Sequence, residues 1–77
     1  RLERSFQDSV VAMDYSLNLI VIRTLPGLAQ AVAYAIDNAK WPDILGTVAG
    51  DDTICVIVKP PEMVTSVMAR FRALMQA

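Results

Sequence analysis

Two stretches of this chain, Leu19-Ile20-Val21-Ile22 and Ile54-Cys55-Val56-Ile57-Val58, are apolar at every successive position. Side chains alternate between the two faces of a strand, so a strand without a polar face asks to be covered on both sides. The chain has 77 residues, 55% of them hydrophobic, which is more than one small two-layer unit easily buries in itself. Either these strands leave some aliphatic side chains in water, or their second face packs against other copies of the chain. Alternation alone does not say which face a given residue occupies, so Ile22 and Val56 stand here as candidate outward residues.

The apolar runs sit in a regular order of elements. Two strands, about residues 9–14 and 17–24, are joined as a hairpin through the turn chemistry of Tyr15-Ser16-Leu17-Asn18. Residues 1–7 read as the tail of a helix or a linker. Pro26-Gly27 ends the second strand, after which Leu28, Val32, Ala35, Ile36 and Ala39 form a helical apolar stripe. Trp41-Pro42-Asp43 closes that helix, because the residue before a proline is pushed out of helical geometry. A second hairpin follows, Ile44 to Ala49 and Thr53 to Val58, turning at Gly50-Asp51-Asp52. Pro60-Pro61 opens a last helix with Met63, Val64, Val67, Phe71, Leu74 and Met75 on one face. The expected fold is α+β, a two-layer sandwich in the order β-β-α-β-β-α. A four-stranded, mainly antiparallel sheet carries two helices on one face, and residues 1–77 form a single domain.

Charge and chemistry exclude several functions. The formal net charge is −1 and the seven Lys and Arg residues are scattered, so no basic stripe can track a phosphate backbone. There is no histidine and only one cysteine, Cys55, which excludes a disulfide framework, a Cys/His zinc site and a histidine base within the chain. Cys55 is expected to be a small buried hydrophobe in a reducing compartment. No apolar run reaches the roughly 18 residues of a membrane span, so a cytoplasmic location is expected and no membrane partner. The chain opens without Met, which suggests a piece of a longer protein.

Two places can carry binding chemistry. On a helical wheel, Gln30 and Asp37 fall within about 20° of each other, opposite the apolar stripe and with only Ala33 between them. This flank is either an ordinary solvated face or a place where small side chains let another backbone approach. Asp51 and Asp52 are the second place. They are either a hydrated turn or a pair of neighbouring carboxylates that a multi-donor cation stabilises. A guanidinium offers a planar fork of N–H donors suited to a carboxylate. Mg²⁺ or Ca²⁺ is the rival, but Asp37 and Asp43 do not stand at any metal-loop spacing, so no metal site is expected.

The stretches PGLAQAVAYAID (26–37) and ILGTVAGDDTI (44–54) resemble the C-terminal domain of the bacterial arginine repressors. That family shows a Pro-Gly-x-Ala-Gln helix start, an Asp seven residues after the Gln, and a Gly-Thr-Ile-Ala-Gly-Asp-Asp-Thr-Ile hairpin. Here Val48 stands in place of the common Ile. The resemblance covers essentially the whole chain. It implies a trimer formed through the other sheet face, two trimers stacked into a hexamer, and L-arginine held as corepressor at the seam, with no further cofactor. It also implies that Gln30, Asp37 and Asp52, with the backbone near Thr47 and Ala49, hold arginine within one trimer, while Asp51 reaches the guanidinium from the facing trimer. Operator DNA would be bound by a winged helix-turn-helix domain preceding this one, which these residues do not contain.

The function expected is therefore an arginine-sensing oligomerisation domain of a transcriptional regulator. A purely structural assembly module is the alternative. An enzyme using Asp51 and Asp52 as an acid/base pair ranks last, since neither a nucleophile–base spacing nor a glycine-rich phosphate loop accompanies them; no catalytic residue is assigned.

Overall fold

The computed structural model describes residues 1–76. A helix α1 (Leu2–Ser9) leads into the hairpin β1 (Val10–Ser16) and β2 (Leu19–Thr24). Helix α2 (Ala29–Ala39) connects to the hairpin β3 (Ile44–Ala49) and β4 (Thr53–Val58), and a 3-10 turn (Pro61–Met63) precedes α3 (Val64–Gln76). The fold is α+β as expected, with one addition. Residues 1–7 were read from sequence as a helix tail or linker; from Leu2 onward they belong to a third helix whose Phe6 is fully buried. α1 packs against both α2 and α3, so three helices rather than two form the second layer.

The sheet is antiparallel throughout, in the order β1-β2-β4-β3. The first hairpin turns on two residues, Leu17 and Asn18, with Ser16 paired to Leu19, so β1 runs two residues beyond the expected end at Asp14. Leu17 takes a φ of 55° there and is 83% exposed. Helix α2 stops at Lys40, which adopts left-handed geometry and donates its N–H to the Asp37 carbonyl (3.3 Å) before Trp41-Pro42 leads away.

Strand alternation decides which apolar residues form the core. Ile20, Ile22, Ile54, Val56 and Val58 point to the helices and are fully buried against Val32, Ile36, Val67, Met68 and Phe71. Ile22 and Val56 are thus inward residues, not outward ones. The same register sets Ile22 opposite Ile54 and Ile54 opposite Ala49, and Ile20 opposite Val56 and Val56 opposite Thr47. Thr47 and Ala49 therefore continue the inward rows to the β3 edge, beside α2.

The opposite face stays open in the single chain. Val21 pairs with Cys55 and Cys55 with Val48, Leu19 with Ile57, giving an apolar surface on which Leu19 and Val21 are each 37% exposed and Val48 is 65% exposed. Cys55 sits half-exposed on this face rather than in the core, because Ile54 and Val56 on either side of it take the inward positions. No helix among the described residues is long and apolar enough to cross a membrane.

Candidate functional site

The β3–β4 turn is fastened to the start of α2 through main-chain groups. Gly27 and Ala29 both donate their N–H to the Asp51 carbonyl (3.1 Å each), and Thr24 donates its N–H to the Asp52 carbonyl (2.8 Å). The first N–H groups of a helix have no partner within the helix, so the Asp51 carbonyl supplies one that α2 otherwise lacks. Gly27 makes this possible with a φ of +83°, a conformation that costs a side-chain-bearing residue about 1 kcal/mol or more. Gly50 closes the tip by donating its N–H to the Thr53 carbonyl (2.9 Å). The carboxylates face outward: Asp51 and Asp52 are both exposed, and among the described residues Asp52 Oδ1 accepts only the Thr53 hydroxyl (2.9 Å).

Two turns along α2, Asp37 meets the β3 edge. The Thr47 hydroxyl reaches both Asp37 carboxylate oxygens, at 3.0 and 3.2 Å. A groove of ≈ 380 Å³ opens between helix and strand, lined by Gln30, Ala33, Tyr34, Asp37, Thr47 and Ala49. Four of the residues expected from sequence, Gln30, Asp37, Thr47 and Ala49, thus come together in one place. Asp51 and Asp52 do not line that groove within a single chain; they stand at the tip fastened to the near end of the same helix. A larger groove of ≈ 550 Å³ continues past Asp37 and Thr47 to Lys40, Trp41 and Leu45. Only Asp37 and Thr47 of the expected residues touch it, so the smaller groove is where the polar groups converge.

One residue escaped the sequence reading. The flank between Gln30 and Asp37 is not only Ala33: Tyr34 projects into the groove and is 67% exposed. Its position, four residues after Gln30 and three before Asp37, is the spacing that places side chains on one helix face, and that spacing was the available signal.

Behind the site, a stack of side chains fixes the connection from α2 to β3. The Arg70 guanidinium lies 4.5 Å from the Trp41 ring centroid and pairs with the Asp43 carboxylate. Trp41 in turn stacks on Phe71 (5.3 Å between centroids) and Phe71 on Phe6 (5.0 Å). Lys59 donates its N–H to the Asp43 carbonyl (2.9 Å), tying the end of β4 to the same point. α2 and β3 are thereby held in the offset at which Asp37 meets Thr47. Among the described residues no three carboxylate or thiol groups gather as a metal site.

Residues 6–73 match the family model described as "Arginine repressor, C-terminal domain". The chain is 62% identical over 74 residues to the arginine repressor of Moorella thermoacetica, covering 96% of this chain and 49% of that relative. It is 56% identical over 75 residues to the arginine repressor of Syntrophomonas wolfei, covering 97% of this chain and 49% of the relative. Against that of Heliobacterium modesticaldum it is 58% identical over 72 residues, covering 94% and 48%. The chain spans about half the length of the curated relatives it matches.

Proposed function

The chain belongs to the arginine repressor C-terminal domain family, and on that premise we propose that it is the L-arginine-sensing, oligomerising domain of a cytoplasmic transcriptional regulator of arginine metabolism. The observation that carries this reading is the groove in which Gln30 and Asp37 of α2 converge with Thr47 and Ala49 of β3. It offers an amide, a carboxylate and a hydroxyl to a ligand carrying both an ammonium and a guanidinium. Asp51 and Asp52 add two exposed carboxylates at the tip fastened to the same helix. Cationic groups that meet carboxylates through charge-assisted hydrogen bonds are held about twice as strongly as by neutral ones.

Assembly follows from the open sheet face. Leu19, Val21, Val48, Cys55 and Ile57 form an apolar surface that three copies bury together as a trimer, and two trimers stack into a hexamer. In the proposed complex Asp52 acts within the trimer that holds the ligand, and Asp51 reaches its guanidinium from the facing trimer. Arginine then binds the hexamer more tightly than the separated trimers and so shifts the equilibrium toward the hexamer. Operator DNA is contacted by a domain preceding this one in the parent protein, and the ligand acts on DNA binding by fixing how those domains are carried.

Calorimetric titration of the chain with L-arginine is the test. Saturable heat, accompanied in sedimentation by a gain in hexamer, supports the sensing role. A stable oligomer that takes up no arginine would leave only the alternative, a structural assembly module.

A further inference from the structure

Tyr34 is the one aromatic residue of α2 and the only bulky side chain on its solvent side; the other large residues, Val32 and Ile36, are buried. The aromatic stacking of the core is supplied elsewhere, by Phe6, Phe71 and Trp41. With 67% of its surface in water, Tyr34 contributes little to that core, and its hydroxyl has no hydrogen-bond partner among the described residues. It stands instead on the wall of the groove, one turn from Gln30 and one turn from Asp37, across from Thr47 and Ala49.

We propose that Tyr34 is a specificity-determining residue of the groove, its ring lying against the planar guanidinium of the bound amino acid. This rests on the arginine-binding reading given above. An aromatic face carries negative electrostatic potential, and a guanidinium can stack flat upon it while its edge N–H groups remain free for carboxylates. Tyr34 and Asp37 offer those two complementary surfaces from one helix face, where side chains three apart are neighbours. Asp37 alone would accept any cation of suitable reach. The ring adds a preference for a planar, delocalised, weakly hydrated one, and its two side-chain torsions make it inexpensive in entropy to order.

The test is calorimetry with L-arginine on the parent chain and on Tyr34→Phe, Tyr34→Leu and Tyr34→Ala, with the ligand-free mass of each measured by sedimentation. Tyr34→Phe keeps the ring face and should bind close to the parent. Tyr34→Leu and Tyr34→Ala should both lose roughly 5- to 30-fold, the equivalent of ~1–2 kcal/mol for a cation–π contact. Parent-like binding by Tyr34→Leu shows that only apolar area matters and overturns the proposal, as does parent-like binding by Tyr34→Ala. An affinity loss that merely follows dissociation of the ligand-free oligomer makes Tyr34 an interface residue and overturns it as well. A parent chain that takes up no arginine refutes the arginine site itself, an outcome distinct from the other three.

Discussion

Replacing Asp51 by Asn separates the main-chain role of this residue from the ligand contact proposed for its carboxylate. Its carbonyl accepts the N–H groups of Gly27 and Ala29, both at 3.1 Å, and this main-chain docking survives any side-chain change that keeps the turn. The Asp51 carboxylate is exposed and makes no hydrogen bond among the described residues, so its neutralisation should alter the stability of the chain by no more than about 0.5 kcal/mol. Ligand binding is another matter. If the carboxylate meets an arginine guanidinium across two trimers, the pair is charge-assisted and removed from water, with a worth of about 1.5–3 kcal/mol. Affinity for L-arginine should then fall roughly 10- to 150-fold. Because the proposed contact crosses between trimers, arginine should also cease to favour the hexamer, while a trimer formed through the sheet face, away from the tip, should persist. Asp37→Asn provides the contrast: Thr47 can still donate to the remaining carbonyl oxygen, so binding weakens with less effect on assembly. Calorimetry and sedimentation of both variants across an arginine titration measure the two effects. Parent-like binding and assembly by Asp51→Asn would refute the reasoning and leave Asp51 as a turn residue.

The two faces of the sheet predict opposite failures. Val21→Asp, on the open face, should give a folded chain of lower mass in sedimentation, whereas Ile22→Asp, fully buried one residue later, should abolish the cooperative thermal transition. Arg70→Ala strips Asp43 of its partner and Trp41 of its cation; with Arg70 39% exposed at the side chain, a loss of about 1–2 kcal/mol is expected. For a chain of this length that corresponds to a fall in Tm of roughly 4–16 °C, readable by circular dichroism.

Element types and their order were legible because they depend on short-range signals. Pro26-Gly27, Trp41-Pro42, Gly50-Asp51-Asp52 and Pro60-Pro61 punctuate the chain at its connections, and the helical spacing of Val32 and Ile36 is local. Residues 1–7 were ambiguous for the same reason: Phe6, with the partly buried Leu2, secures α1, and the Phe6 partner Phe71 lies at the other end of the sequence. The site was partly legible. Gln30 and Asp37 were placed on one face by helical period, and Asp51 and Asp52 by turn chemistry, whereas Tyr34 went unseen.

What the sequence determined by itself was the set of elements and the chemical character of their side chains. Which face each strand residue took was decided only by tertiary structure. A wholly apolar strand such as Leu19-Ile20-Val21-Ile22 contains no polar position to mark its outer side, and the choice was made when Ile20 and Ile22 met the helix layer and left Leu19 and Val21 open. The meeting of Asp37 with Thr47, and of the Asp51 carbonyl with the start of α2, was likewise tertiary. Both join groups ten or more residues apart whose separation is fixed by strand register and by the Arg70-Trp41-Phe71 stack, and no local propensity encodes such an offset.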